Sequence, residues 1–364
     1  MLFRSAAVEE PALVVAFLSP SYQLEAMAAE LQSALGDVPI IGCSTSGEIT
    51  DGHSLRQSLV LWAIGGAGFS VRVGMGQGAS DSLREASRQA ARCLDGLPSH
   101  PHRALVILAD GLCGDQMEVV RGAYEVAGAS VPLVGGCAGD DLAMRSTFQI
   151  HGGRVFNQAV VAAAIGSDSP IGIGVSHGWQ TVGEPMLVTS SSGVSVMSLD
   201  DRPALDVYLE TLQAPPEASE SPEAFAAFAA THPLGIPRRD RIEIRYVAGA
   251  NLETRSLTCI AGLPQGGMAM FMEGDSDSVM KATATACREA CNGLAGAPPI
   301  GMLLFDCVAR RSVLESASAG GEFQYVQELL GTLPVAGFYT YGEIARTQGA
   351  GGFHNQTLVA LALA

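Results

Sequence analysis

The residues best suited to bind a small molecule recur in three short segments of related sequence. GCSTSGEI spans residues 42–49, GGCAGDD spans 135–141 and GFYTYGEI spans 337–344. Small residues let the backbone turn and expose N–H groups and hydroxyls to a ligand, and an acidic side chain in each segment supplies an acceptor. The segments predict a ligand site that contains Cys43, Ser44, Thr45, Ser46, Glu48, Asp140, Tyr339, Tyr341 and Glu343.

A repeated fold would explain the same recurrence without any ligand, because a unit that is used several times brings its turns with it. Each segment begins three residues after a proline, and a glutamine followed by another apolar run comes after it. Both interpretations stay open from the sequence alone. The prolines are Pro39, Pro132 and Pro334, and the glutamines are Gln57, Gln158 and Gln356.

A thiol enzyme centred on Cys43 is an alternative function. It requires His177 or His354 to approach the thiol and take its proton, whereas a lone cysteine in an apolar strand is more often a packing residue. Serine chemistry is less favoured still, because no G-x-S-x-G elbow occurs, and both nucleotide-binding glycine motifs are missing. We therefore expect binding without catalytic turnover.

Three histidines stand out among the seven. His177 follows an apolar strand and precedes Trp179, an aromatic residue suited to a pocket wall, so both join the predicted ligand site. His354 joins it as well, although hydrogen bonding within the repeat is its simpler role. His232 precedes four arginines that could meet the carboxylates of a ligand or of the protein itself, and Arg241 is the one included in the ligand site. The arginines are Arg238, Arg239, Arg241 and Arg245.

Apolar runs of five to eight residues alternate with amphipathic stretches, which predicts an α/β fold of duplicated mixed-sheet layers covered by helices. Residues 70–94 are similar to the segment that starts at residue 268, and the strands that follow place Asp110 and Asp306 at equivalent ends. A β-α-β-α-β-β unit is therefore predicted twice, with a shorter version at the N-terminus. Residues from about 166 to 265 are predicted to form strands and hairpins between the copies. We predict two fused domains, 1–195 and 196–364.

The composition argues against several classes of protein. The 364 residues include 37 acidic and 21 basic side chains, and the net charge of −16 disfavours binding to nucleic acids or membrane surfaces. No apolar run reaches the roughly 18–20 residues of a spanning helix, and no signal peptide is recognised, so a cytoplasmic protein is expected. Eight cysteines without a C-x-x-C pair indicate reduced thiols.

Taken together, these motifs resemble the FIST sensory proteins. The resemblance covers the N-terminal and C-terminal halves of that family and nearly the whole chain. One departure is Asp201, which replaces a glycine of the family pattern; aspartate tolerates turn conformations, so only a local adjustment is expected. Besides the three segments, the resemblance rests on VSHGW (175–179), LDDRPALDVY (199–208), HPLGI (232–236) and HNQTL (354–358).

The resemblance implies an intracellular signal-input module that binds a small ligand. Stand-alone bacterial members include nitric-oxide-sensing haem proteins that act with a histidine kinase or a cyclic-di-GMP enzyme. Since no output segment is recognised in the 364 residues, a separate partner of this kind is expected.

We expect first that the protein binds haem b and senses nitric oxide through it. His232 is then the predicted iron ligand, because the arginines close to it in sequence would pair with the propionates, and His177 is the reserve. The alternative is an amino acid or related metabolite held by the three turns. An interaction scaffold without a ligand is the residual hypothesis, and a homo-oligomer is compatible with each of them.

Overall fold

A computed structural model describes residues 10–238, 242–316, 321–347 and 351–364. It confirms the predicted α/β class: three mixed sheets are covered by helices, and a fourth sheet is antiparallel. One β/α unit is used three times, and the antiparallel sheet is an insert within the third copy. The boundary near residue 195 stays a prediction.

The first repeat is the shortest. It consists of β1 (Pro11–Leu18), α1 (Leu24–Leu35), β2 (Ile40–Ser44), the hairpin β3 (Glu48–Thr50) and β4 (His53–Leu55), and β5 (Leu59–Gly65). Helix α1 connects two parallel strands and stops at Gly36, where the positive φ of 63° suits a residue without a side chain.

The second repeat has an additional strand and helix at its start. It consists of β6 (Phe69–Gln77), α2 (Ala79–Ala91), β7 (His102–Ala109), α3 (Met117–Ala127), β8 (Leu133–Cys137), the hairpin β9 (Gln149–His151) and β10 (Arg154–Phe156), and β11 (Ala159–Ser167). A 3-10 turn, Arg92–Gly96, follows α2. Leu83, Ala86 and Ala90 are buried at helical spacing along α2, which gives that helix one face to pack inward.

The third repeat opens with β12 (Ile171–Ser176), and the insert follows. The insert contains β13 (Gln180–Ser192), β14 (Ser195–Leu199), β15 (Arg202–Pro203), α4 (Ala204–Thr211), α5 (Pro222–Ala229), β16 (Leu234–Pro237), β17 (Ile242–Arg245), β18 (Val247–Asn251), β19 (Ser256–Cys259) and β20 (Met268–Glu273). The strands and hairpins expected between the copies are thus confirmed. Tyr208 and Phe225 on the two helices contact each other in the insert's own apolar core.

The remainder of the third repeat follows the pattern of the second. It consists of α6 (Ser276–Asn292), β21 (Gly301–Cys307), α7 (Val308–Ser316), α8 (Glu322–Leu330), β22 (Val335–Thr340), the hairpin β23 (Glu343–Arg346) and β24 (Phe353–His354), and β25 (Leu358–Leu363). Asp275 caps the N-terminus of α6 by accepting a hydrogen bond from the Ser278 N–H at 2.8 Å. No described helix is long and apolar enough to span a membrane.

The structure corrects one part of the predicted repeat alignment. The segment from residue 268 was expected to be the first strand of the third repeat, but β20 pairs with β13 and β16 inside the insert. Strand β12 takes that place instead, because it pairs antiparallel with β25 as β6 pairs with β11. A glycine pattern supports the assignment. A Cβ at Gly74 or Gly76 would meet carbonyls of α2, and one at Gly172 or Gly174 would meet carbonyls of α6.

Each repeat gives its hairpin to a sheet of another repeat. Strand β3 of the first repeat pairs with β22 of the third, β23 of the third pairs with β8 of the second, and β9 of the second pairs with β2 of the first. The strand orders are β10-β9-β2-β1-β5 in the first sheet, β24-β23-β8-β7-β11-β6 in the second, and β12-β25-β21-β22-β3-β4 in the third. This cyclic exchange means that no repeat completes its sheet alone.

The inner faces of the three sheets share one apolar core. Phe17 of β1 stacks on Phe338 of β22 with 4.9 Å between ring centroids, and Phe305 of β21 meets Phe17 edge-on at 6.5 Å. Trp62 and Val106 contribute from β5 and β7. Burial on both faces explains why most strands are continuous apolar runs.

The recurring Pro-x-x-Gly has a steric cause. A Cβ at Gly42, Gly135 or Gly337 would lie 2.3, 1.9 or 2.1 Å from a carbonyl oxygen of the neighbouring parallel strand. Only glycine allows that approach. These glycines are therefore required by the packing of each repeat, whether or not a ligand binds nearby.

Candidate functional site

The three predicted turns meet at one place, where β2, β8 and β22 end. The Ser44 hydroxyl donates to the Gly139 carbonyl at 2.8 Å, which joins the first turn to the second. The Ser46 N–H donates to the Tyr339 carbonyl at 3.1 Å, and the Tyr341 N–H donates to the Cys137 carbonyl at 3.1 Å, which joins the third turn to the other two. The structure thus brings together residues that are up to about 300 positions apart in the chain.

The two glutamates of the turns are buried and bonded within their own repeats. Glu48 accepts hydrogen bonds from the Thr45 hydroxyl and from the Ser58 N–H at 3.1 Å. Glu343 accepts from the Thr340 hydroxyl and from the Thr357 N–H at 3.2 Å. Burial raises the pKa of both carboxyl groups.

Asp140 is not the counterpart of these glutamates, contrary to the predicted alignment. The residue equivalent to Glu48 is Gln149, because Gln149 is the first residue of β9 as Glu48 is the first residue of β3. Gln149 Oε1 accepts a hydrogen bond from the Ala159 N–H at 3.2 Å. The alignment failed because eleven residues, 138–148, connect β8 to β9, whereas three connect β2 to β3. The sequence signal was Gln158, which precedes Ala159 as Gln57 precedes Ser58.

Asp140 instead organises the long 138–148 loop. Its carboxylate accepts hydrogen bonds from the N–H groups of Met144, Arg145 and Ser146 at 2.7–3.0 Å and from the Tyr341 hydroxyl. Burial opposes ionisation, but these donors together lower the pKa of Asp140. Burial, followed by the hydrogen bond to Asp140, raises the pKa of Tyr341 to about 12. The loop is therefore held by a carboxylate that is charged at neutral pH.

Arg311 of α7 also lies at the meeting point, although no motif drew attention to it. Its guanidinium donates to the Ser46 carbonyl at 2.9 Å and lies 4.6 Å from the centroid of the Tyr339 ring. A Cβ at Gly47 would collide with it. The sequence of α7 has no local feature that predicts contact between Arg311 and turns so distant in the chain.

Cys43 lies on the core face of β2 and is fully buried. Burial, followed by the neighbouring Cys137 and Glu48, raises the pKa of its thiol well above the ordinary value. A thiolate is the nucleophilic form of cysteine, and this environment disfavours it. His177 and His354, the two expected activators, make their hydrogen bonds to other groups.

His177 and Trp179 lie where the insert meets the third repeat. The Trp179 N–H donates to His177 Nδ1 at 3.0 Å, so the ring proton of the neutral imidazole is on Nε2. Burial, followed by the charge of Arg310, lowers the pKa of His177 to about 4. Coordination through Nε2 needs the opposite tautomer, which makes His177 a poor reserve ligand. The Trp179 indole donates to the Gln356 carbonyl at 2.9 Å.

His232 has the tautomer that an axial ligand needs. Its Nδ1 lies 2.7 Å from the Phe228 carbonyl, which can only accept, so Nδ1 carries the proton and Nε2 the lone pair. The ring stacks on Phe228 with 4.0 Å between centroids. His354 differs, since its Nε2 lies 3.1 Å from the Ala345 carbonyl and carries the proton.

The described arginines near His232 pair with an acid of the protein itself. Arg238 Nε and Nη2 donate to Glu243 at 3.0 and 2.9 Å, and Arg245 Nη2 donates to the same oxygen at 3.2 Å. Although burial opposes it, these arginines lower the pKa of Glu243. Arg239 and Arg241 lie outside the described residues. The tautomer of His232 is therefore the one an axial ligand needs, but Arg238 and Arg245 do not suit haem propionates, because they already pair with Glu243.

The structure also singles out polar groups that the sequence did not. Asn355 is fully buried, and neither its Oδ1 nor its Nδ2 has a hydrogen-bond partner among the described residues. Within the same part of the chain, Gln356 Oε1 and Arg245 Nε are likewise buried without a hydrogen-bond partner. The sequence Asn-Gln at 355–356 also occurs at 157–158, but the side chains at 157–158 are exposed. The insert contacts Gln356 directly, because Gln356 Nε2 donates to the Ala230 carbonyl at 2.8 Å.

The comparisons with known proteins agree with the resemblance. Residues 12–202 match the FIST N domain and residues 204–346 match the FIST C domain. FIST domains are sensory domains of signal transduction. Together the two matches cover the insert and most of the three repeats, and β24 and β25 lie beyond residue 346.

Curated relatives add no activity. An uncharacterized protein of Mycobacterium tuberculosis is 29% identical over 186 residues, which is 50% of this chain and 48% of that protein. An uncharacterized protein of Methanocaldococcus jannaschii is 32% identical over 83 residues, 23% of this chain and 16% of that protein. The matched part of the chain thus spans about half the length of the mycobacterial relatives and less of the archaeal one. On the two domain matches, the chain belongs to the FIST family, with a FIST N domain followed by a FIST C domain.

Proposed function

We propose that this protein is a sensor without catalytic turnover whose ligand is a small polar metabolite that carries a carboxylate, such as an amino acid. The ligand would bind between the insert and the third repeat. The output would pass to a separate histidine kinase or cyclic-di-GMP enzyme. The environment of Cys43, which disfavours a thiolate, supports binding over thiol catalysis.

One observation carries the proposal: the Asn355 amide is fully buried, and both of its polar atoms are unpaired within the ranges that the structure describes. A buried polar group without a partner costs about 1–3 kcal/mol. A bound ligand that hydrogen-bonds to the amide would remove this cost. Unpaired Gln356 Oε1 next to it in sequence adds to this cost.

The neighbouring charges favour a carboxylate ligand. Strand β17 of the insert lies against β24 of the third repeat, and the electrostatic influence of His354 reaches Glu243. Arg245 on β17 has an Nε–H that no described residue accepts, and charge-assisted bonds from a guanidinium to a carboxylate are strong. Asn355 offers a donor and an acceptor together, which suits a ligand with both a carboxylate and an ammonium group.

Signal transmission would follow from how Gln356 joins the two parts. Its carbonyl accepts from the Trp179 indole, and its Nε2 donates to the Ala230 carbonyl of the insert at 2.8 Å. A ligand that binds beside Gln356 favours one arrangement of the insert over others. The partner would then bind to that arrangement, which is a population shift.

A thermal-shift screen tests the proposal. The full chain is melted with each common amino acid and with small dicarboxylates; a ligand at 100 times its Kd stabilises by about 2.7 kcal/mol and raises the Tm. Asn355→Leu should keep or raise the Tm without ligand, because it removes an unpaired amide, yet lose the ligand-induced rise. Asn157→Leu, the same change at the exposed counterpart, should retain the rise. No rise with any compound, or a rise retained in Asn355→Leu, contradicts the proposal.

Haem remains a second candidate because of the His232 tautomer. When bound, haem would supply an iron that coordinates nitric oxide, and His232 would hold it through Nε2. The chain reconstituted with haemin should show a Soret band that shifts with nitric oxide. His232→Ala should lose that shift, whereas His53→Ala at an exposed position of β4 should keep it. A colourless protein after reconstitution removes this candidate and leaves the metabolite proposal intact.

A further inference from the structure

The first sheet is one strand shorter than the other two. Strand β5 is the counterpart of β11 and β25, since a glutamine with positive φ precedes each of these strands. Each also pairs antiparallel with a central strand of its sheet: β5 with β1, β11 with β7 and β25 with β21. In those sheets an outer strand, β6 or β12, continues antiparallel beyond β11 or β25. Within the described ranges, β5 is the last strand on its side of the first sheet.

The sequence of β5 is typical of a strand that is covered on both faces. LVLWAIG has no charged residue or proline, like its counterparts AVVAAAIGS and LVALAL, which are buried along their whole length. In β5 only alternate residues, Val60, Trp62 and Ile64, are buried in the core. Leu61, on the other face, is 40% exposed.

An apolar edge strand of this kind normally carries protection. Proteins place lysine, proline or a bulge on exposed edges, because unpaired N–H and C=O groups otherwise recruit another strand. Residues 59–65 contain no lysine or proline. The edge therefore has the properties of a pairing surface.

We propose that β5 is the dimer interface of this protein, and that a second copy of the chain pairs its own β5 antiparallel to it. The two first sheets would then continue into one sheet across a two-fold axis. A two-fold places a strand antiparallel to its copy, which is the direction that β6 and β12 take in the other sheets.

Two further observations favour a second copy as the occupant. Each chain carries a net charge of −16, so copies should approach where neither has charge, and β5 is such a place. Antiparallel pairing also brings the start of one β5 beside the end of the other. That end continues into Gly66 and Gly68, which have open space around them and present no side chain to obstruct a neighbour.

Mass measurement of the full chain tests the proposal. Sedimentation of the wild type at tens of micromolar should give twice the monomer mass of 37.6 kDa. Leu61→Lys should give the monomer mass with an unchanged far-ultraviolet circular dichroism spectrum. Leu329→Lys, at a leucine of similar exposure on α8, should remain a dimer. A monomeric wild type, or a dimer that persists in Leu61→Lys, overturns the proposal.

Hydrogen exchange locates the interface independently of any variant. The outward N–H groups of β5 should exchange more slowly as protein concentration rises through the dimer range, because pairing protects them. Protection of β5 that does not change between monomer and dimer concentrations would show that the chain covers this edge itself, and would overturn the proposal. Neither measurement involves a small ligand, so failure here is distinct from failure of the sensor proposal.

Discussion

At the scale of single residues, Asp306 shows how one position along a strand changes the chemistry. It was expected to match Asp110, but the residue equivalent to Asp110 is Cys307. The Asp110 N–H donates to the Ala159 carbonyl and the Cys307 N–H donates to the Thr357 carbonyl, and Ala159 and Thr357 each follow the repeated glutamine. A shift of one residue turns a side chain to the opposite face of a sheet. Asp306 consequently points at Arg310, whose Nε donates to it at 2.6 Å.

A second carboxylate shares that arginine. Arg310 Nη2 donates to Glu322 at 2.9 Å, and all three side chains are buried. Asp306 Oδ2 has no hydrogen-bond partner in the described part of the chain. Burial and the charge of Glu322 raise the pKa of Asp306 to about 8, against the opposing charge of Arg310. The folded protein therefore holds a proton on Asp306 at neutral pH.

This proton predicts a pH dependence of stability. The folded pKa lies above the ordinary value of about 3.9, so the folded state binds more protons between about pH 4 and 8, and stability falls as pH rises through that window. Asp306→Asn removes this contribution, which has an upper limit of about 1.4 kcal/mol per pH unit. Urea unfolding from pH 5 to 8 should give a shallower slope for Asp306→Asn than for wild type. Asp95→Asn on the surface should follow the wild type, and parallel curves for all three would contradict the assignment.

At the scale of elements, the 138–148 loop is the part of the site that the repeats do not share. Asp141, Leu142 and Met144 all have positive φ, a conformation that costs about 1 kcal/mol or more for a residue with a side chain. The four hydrogen bonds that the Asp140 carboxylate accepts offset this cost. Leu142 and Met144 are exposed on the loop.

Removal of the Asp140 carboxylate should release the loop. Hydrogen bonds to a charged group contribute about 1.5–3 kcal/mol, so Asp140→Ala should speed tryptic cleavage after exposed Arg145 by about tenfold or more. Tyr341→Phe, which removes one donor of four, should have a smaller effect. Asp115→Ala removes a carboxylate from a different turn and should leave the cleavage rate unchanged. An unchanged rate in Asp140→Ala would show that other contacts hold the loop.

The elements themselves were largely predictable, and their partners were not. Apolar runs marked strands such as β7 and β25, because burial on both faces demands them. The exchange of hairpins was not foreseeable, since three-residue strands such as β3 and β9 carry no signal for which sheet they join. The same limit explains why β20 was mistaken for β12.

At the scale of the whole molecule, the exchange should make unfolding cooperative across the two FIST domains. The first repeat needs β9 of the second, and the third needs β3 of the first, so loss of one sheet removes a strand from another. The two tryptophans report on distant parts: Trp62 faces the shared core and Trp179 lies against the insert.

Single-tryptophan variants test this cooperativity. In Trp179→Phe the fluorescence follows Trp62, and in Trp62→Phe it follows Trp179. Within each variant, the urea midpoint from fluorescence should equal that from far-ultraviolet circular dichroism, as two-state unfolding requires. An earlier fluorescence midpoint for Trp179 alone would mean that the insert unfolds on its own.

The sequence by itself determined the repeated unit, the strands within it, the glycines and the family. These depend on periodicity and on local sterics, which a sequence carries directly. Only the tertiary structure decided that the three turns meet, that Gln149 rather than Asp140 matches Glu48, and that Asn355 is buried while Asn157 is not. Those facts depend on strand partners and on the placement of the insert, and contacts between residues far apart in the chain decide both.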